Sequence, residues 1–188
     1  MSNATISRQR CDGLCVTILP VDENENLWLG VSPKTGGLYC PAGHFDRFKE
    51  SVNAARAELR EEMGFRARSL EKLNERMLVT RNTCGRPYSF RERGHHWHLY
   101  RARVQGEPVL EGKAFETAYL LAPKKVRSLG YRTLESLHET SGRTRRLGRK
   151  GTFIDPMWLP FLSVAGLIDL SKEGRKLVNL AIKNWEKA

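Results

Sequence analysis

Glu58, Glu61 and Glu62 carry the spacing i, i+3, i+4, which puts three side chains on one side of a helix. Like charges at that spacing repel one another. The arrangement is easier to explain if a hard cation sits among them, because Mg²⁺ takes oxygen ligands. Val52, Ala55, Leu59 and Met63 fall on an adjacent side and predict a buried stripe, and Ala54 is too small to cover the carboxylates. Ser51 is placed as the N-cap of this helix and Gly64 as its stop. The same run is also rich in strong helix formers, and charge on a helix is usually a solvated face. The flanks therefore decide.

Pro41-Ala42-Gly43 precedes the helix as a turn of small residues, and fourteen residues separate Gly43 from Glu58-Leu59-x-Glu61-Glu62-x-Gly64-Phe65. This order resembles the Nudix box, written G-x5-E-x7-R-E-U-x-E-E-x-G-U with U an aliphatic or aromatic residue. Two positions depart from it. Lys49 stands where the family has its first Glu, and Ala57 where it has Arg. In the family those two residues form an ion pair that braces the loop against the helix. Both halves are missing together, so no lone buried charge is left behind. Glu50 and Arg56, one residue away on each side, are candidates for a shifted brace.

The resemblance implies an α/β fold: a Nudix-type α/β/α sandwich around a mixed β-sheet, with a C-terminal helical extension. It implies a Mg²⁺-dependent (or Mn²⁺-dependent) pyrophosphohydrolase that cleaves the diphosphate linkage of a nucleoside diphosphate derivative. By carry-over the metal ligands are Glu58, Glu61 and Glu62, and a main-chain carbonyl near Ala42 and Gly43 is a further candidate. The general base is placed either within the box, at Glu61, or on a later acidic loop, where Glu111 is preferred to Glu116. Arg81, Arg86 and Arg93, with Arg91, lie on one loop and are candidates to grip phosphates as a group. A competing reading is a Nudix-like domain that binds a nucleotide or RNA as a regulator or scaffold. A third makes the C-terminal helices an interaction module. The signature stretches of coenzyme A and NADH hydrolases are missing.

The chain has 188 residues, 40% of them hydrophobic and 28% charged, which suits one domain with an extension. It has no run of 18 apolar residues and so no membrane span. Its first ten residues lack the apolar core of a signal peptide, and a cytoplasmic protein is expected. The net charge is +11, and residues 123–151 hold nine Lys or Arg against two Glu. Such a field favours polyanions, whether small nucleotides or RNA. Cys11, Cys15, Cys40 and Cys84 show no C-x-x-C pair and are expected as small buried hydrophobes.

Along the chain, Leu14–Leu19 reads as a buried strand ended by Pro20, and Leu27–Val31 as a second. Leu70–Thr80 is expected as one strand and His95–Val104 as another, with His96 and His98 facing opposite to His95. Strand packing is preferred for these histidines because nothing supplies a further metal ligand. Glu116–Ala122 is expected as a strand and Pro123–Leu129 as a short helix, followed by helix at Tyr131–Thr140. The division is a Nudix domain over 1–130 and, over 131–188, a basic loop with a helical extension. The apolar segment 156–170 and a helix over 172–187, with Leu177, Leu180, Ala181 and Trp185 on one face, would pack on the core or on a second subunit as a homodimer interface.

Overall fold

The computed structural model describes residues 11, 13–45, 48–80, 94–111, 114–144 and 147–185. Its centre is β1 (Leu14–Val21), a strand whose alternate residues reach two different cores. Val16 and Ile18 pack under helix α1 (Ser51–Met63), while Cys15, Leu19 and Val21 face the C-terminal helices. A strand buried on both faces reads as a continuous apolar run, which is why Leu14–Leu19 was recognisable.

The described residues form an eight-stranded mixed sheet. Its main path places β3 (Leu38–Tyr39), β2 (Leu27–Val31), β1, β7 (His95–Arg103) and β5 (Ser69–Lys72) side by side. β4 (Ala42–His44) pairs with β1, β6 (Leu78–Thr80) with β7, and β8 (Ala118–Leu121) with β2. β1 and β7 run parallel from Leu14 opposite His96 to Val21 opposite Arg103. On the face away from α1 lie α2 (Pro123–Glu139), a 3₁₀ turn (Pro156–Trp158), α3 (Leu159–Val164) and α4 (Lys172–Trp185). The result is the expected α/β/α sandwich with a mixed sheet and a C-terminal helical part.

Several local expectations need correction. Pro20 does not end β1; it lies inside it, opposite Ala102. The Ile18 N–H donates to the Pro41 carbonyl at 2.9 Å. Two residues on, the Pro20 nitrogen faces the same side, where the partner changes from β4 to β2 and no donor is needed. Leu70–Thr80 is two strands, interrupted at Asn74. The buried Asn74 amide takes the place of the ladder, accepting from the Leu99 N–H and donating to the Trp97 carbonyl, both at 2.8 Å.

The two helices expected around residue 130 are one, α2, because Gly130 makes room for its neighbours. A β-carbon there would meet Ile168 at 3.0 Å. In α4 the buried residues are Val178, Ala181 and Ile182, and Leu180 is exposed, so the buried stripe is rotated from the expected one. Trp158, Leu159, Phe161 and Leu162 lie in the chain's own core beside Trp97 and Leu99. Among the described residues no helix is long and apolar enough to cross a membrane.

Candidate active site

Helix α1 is positioned by what it buries. Ala54, Ala55, Leu59 and Met63 pack against Val16, Ile18, Trp28 and Tyr100 of the sheet. Its N-cap is Glu50, which makes no side-chain cap bond. Ser51, expected to cap, instead has its hydroxyl 2.6 Å from the Tyr100 hydroxyl. Gly64 ends the helix as expected, with φ +71° and its N–H donating to the Arg60 carbonyl at 2.9 Å. That left-handed conformation is one a glycine adopts without strain.

With α1 seated this way, Glu58 and Glu62 face the β4 backbone. Glu62 Oε2 accepts the Ala42 N–H at 2.9 Å. The Glu58 carboxylate lies against Gly43, where a β-carbon would stand 2.1 Å from its Cδ and Oε1. The turn is itself anchored, since the Pro41 carbonyl accepts from both the Ile18 N–H and the Thr17 hydroxyl.

The electrostatics are one-sided. Burial pushes the Glu62 carboxyl up to about 8; the Ala42 N–H pulls it down, and Glu58 and Glu61 push it further up. Tyr39 is also raised, by burial first and then by the charges of Glu62 and Asp155. A half-buried carboxylate beside two others charges more readily if a cation joins it. The donor set is all oxygen, which fits Mg²⁺ or Mn²⁺ better than a soft metal.

The other expected residues fall as follows. Glu61 is exposed on the outer side of α1. Glu111 is exposed at the end of a segment tethered to α1, where the Val109 N–H donates to the Met63 carbonyl at 2.9 Å. Further along the chain the Ala114 carbonyl accepts the Tyr39 hydroxyl at 2.5 Å. Glu116 is exposed and paired with Lys150. Arg81, Arg86, Arg91 and Arg93 lie outside the described residues.

Lys49, Glu50 and Arg56 are exposed. No ion pair joins Glu50 to Arg56 among the described residues, so the shifted brace does not form. Ala57 is buried and lines a shallow hollow with Phe48, Asn53 and Arg60.

Two further residues, Tyr39 and Asp155, were not singled out from sequence. Tyr39 feels the charges of both Glu62 and Asp155. Asp155 is buried, accepts from the Thr35 hydroxyl at 2.8 Å and from the Met157 N–H at 3.1 Å, and is pushed up to about 6 by burial. An Asp directly before Pro156 is a helix-start signal, and that much was available in the sequence.

Comparison with known proteins agrees with this geometry. The family model of the NUDIX domain matches residues 13–145. No curated protein matches the chain in sequence. Among solved structures, the MutT protein of Methanosarcina mazei Go1 superposes with a TM-score of 0.51 at 13% identity, covering 64% of this chain and 83% of that one. The E. coli dihydroneopterin triphosphate pyrophosphohydrolase gives 0.51 at 10% identity, covering 64% and 87%. The NUDIX domain of Shewanella oneidensis NrtR, solved with ADP ribose, gives 0.50 at 12% identity, covering 67% and 82%. At these identities the likeness is one of fold.

Proposed function

The chain belongs to the Nudix family, and we propose that it is a Mg²⁺- or Mn²⁺-dependent pyrophosphohydrolase acting on a nucleoside diphosphate linked to another group. The observation that carries this reading is the seating of two helix carboxylates on the β4 backbone, Glu62 on the Ala42 N–H and Glu58 on Gly43. A solvated helix face would have no reason to bury a carboxylate between two others.

In this reading Glu58 and Glu62 would hold the cation, with Glu61 beside them. Bound there, the metal would neutralise phosphate oxygens and lower the pKa of a coordinated water. The remaining work belongs to the chain. The Ala42 N–H fixes Glu62 Oε2 at 2.9 Å and so orients the carboxylate. Gly43 keeps the Glu58 carboxylate close to the turn. Glu111, on the tethered segment beside the end of α1, would take the proton of the attacking water as its oxygen bonds to phosphorus; Glu61 is the alternative base. The phosphorus–oxygen bond of the anhydride breaks, and the leaving phosphate carries off the electron pair. Arg81, Arg86 and Arg93 would hold the phosphates in bidentate fashion, an interaction for which guanidinium is shaped.

The second reading, binding of a nucleotide or RNA without turnover, has two observations in its favour. The brace between loop and helix is absent in both its usual and its shifted form. A groove of about 440 Å³ opens between α2, β8 and residues 148–152, with Lys125, Arg132 and Arg149 on its walls. Such a surface suits phosphates.

The two are separated by product release with Mg²⁺ or Mn²⁺ over nucleoside triphosphates, ADP-ribose, NADH, dinucleoside polyphosphates and triphosphorylated RNA, with Glu62→Gln beside the natural chain. Turnover that collapses in the variant supports the hydrolase and identifies its substrate class. Tight metal-independent binding with no turnover replaces it with the binding module.

A further inference from the structure

Far from one another in sequence, Cys11, His44 and His95 meet at one end of the sheet. Cys11 Sγ lies 3.3 Å from His44 Nε2 and 3.4 Å from His95 Nε2. The three ligand atoms all fall within 4.8 Å of one another. Cys11 and His95 are buried, with 1% and 2% of their surface exposed, and His44 is half-buried. We propose that these three side chains form a binding site for a borderline-soft divalent cation of the Zn²⁺ class, separate from the carboxylate cluster on α1.

The separation follows from strand geometry. Successive side chains of a strand point to opposite faces. Gly43 faces α1 and Glu58, so His44 faces the other way, as does Cys15, its antiparallel partner, which belongs to the core under α2. His95 shares a face with Trp97, whose ring it meets edge-on at 5.8 Å. The cluster therefore stands on the face opposite to the glutamates, although His44 directly follows Gly43.

The donor chemistry differs as well. One sulfur and two imidazole nitrogens form a set that takes Zn²⁺ in preference to Mg²⁺. With metal–sulfur bonds of about 2.3 Å and metal–nitrogen bonds of about 2.0–2.1 Å, tetrahedral coordination puts sulfur and nitrogen roughly 3.6 Å apart. The observed separations are near that value. A further feature points to a thiolate. The Gly13 N–H donates to Cys11 Sγ at 3.3 Å, which favours the charged form of the sulfur. Gly13 is fixed for that task by its own carbonyl, which accepts the His96 N–H at 2.7 Å, and by its φ of +77°. On binding, the Cys11 thiol would release its proton to solvent, both rings would present Nε2 unprotonated, and water would complete the coordination. The competing account is a metal-free triad in which sulfur and rings share hydrogen bonds.

Such a centre ties the residue preceding β1 to the end of β4 and the start of β7. It would also stiffen the turn that offers Gly43 and the Ala42 N–H to the carboxylates.

The test uses the full chain without a histidine tag, stripped with chelator and titrated with Co²⁺. We expect one Co²⁺ per chain with a thiolate-to-cobalt charge-transfer band and d–d bands of tetrahedral intensity, bleached by Zn²⁺. Cys11→Ser should abolish the charge-transfer band, and Glu62→Gln should leave it unchanged. His44→Gln, at the half-buried position, should weaken Zn²⁺ binding by more than about tenfold, since loss of an outer hydrogen bond alone costs that much. This variant decides the matter if Cys11→Ser does not fold. Absence of the band from the folded natural chain, its persistence in folded Cys11→Ser, or unchanged Zn²⁺ affinity in His44→Gln would overturn the site in favour of the hydrogen-bonded triad.

Discussion

The Glu58 carboxylate occupies the space where residue 43 would carry a β-carbon, 2.1 Å from that position. Gly43 is thus the absence that lets a helix carboxylate approach a strand. Gly43→Ala should displace Glu58 by about an ångström while the fold survives. Misplacement on that scale can cost roughly 100-fold in rate. Steady-state hydrolysis, with circular dichroism as a control for folding, checks this; near-normal turnover would show that Glu58 needs no contact with the turn.

The missing brace gives a prediction with two arms. Arg56 is exposed and has no ion pair with Glu50, so Arg56→Ala should change stability by no more than about 0.5 kcal/mol. Ala57 is buried, and Ala57→Arg must force a long side chain into the hollow beside Phe48, at a cost of about 1–3 kcal/mol. Urea denaturation measures both. A stabilised Ala57→Arg would mean that the hollow still accepts the family's arginine.

Asp155 should make stability depend on pH. Its carboxyl ionises at about 6 in the fold against an ordinary 3.8, because burial outweighs the bonds from Thr35 and Met157. A raised folded-state value means that its contribution is present in full below the ordinary value and lost as pH rises through the raised one. Asp155→Asn can keep both hydrogen bonds, with Oδ1 accepting from Met157 and Nδ2 donating to the Thr35 hydroxyl. The stability of the natural chain relative to this variant should therefore fall between about pH 4 and about pH 7. Denaturation at several pH values reads the difference directly, and a constant difference across that window would refute the assignment.

Truncation after Lys150 should leave no folded protein. It removes Ile154, Trp158, Leu159, Phe161, Leu162, Val178 and Ile182, all buried in the same core as Leu19, Leu29 and Leu99. The parallel bridge between Leu38 and Ile154 goes with them. A front half that gives a cooperative melt on its own would show instead that the C-terminal helices are a separable module.

The parts legible in the sequence were those whose cause is local. The α1 helix follows from its apolar period, and its end follows from Gly64. The buried strands at Leu14 and Leu27 follow from continuous apolar runs. What escaped depends on contacts that folding alone creates. Gly130 looks like a break until Ile168 lies against it, and Asn74 is an ordinary polar residue until its amide meets Leu99 and Trp97. His95 was set aside because no further ligand was seen for it, yet folding brings Cys11 to it from 84 residues away. Ser51 had the right type for a cap, and Tyr100 claimed its hydroxyl.

The two faces of the sheet are covered by helices far apart in the chain. α1 is made before half of the sheet's strands, but Trp158, Phe161 and the buried face of α4 are made only after all of them. A chain still growing on the ribosome would hold Val16 and Ile18 under α1 while Cys15, Leu19, Leu29 and Leu99, on the other face, stay uncovered. Closure of that face has to wait for α4 to emerge, and during the wait the open apolar surface is a target for chaperones and for neighbouring nascent chains. Premature termination should accordingly yield aggregates instead of a smaller working enzyme.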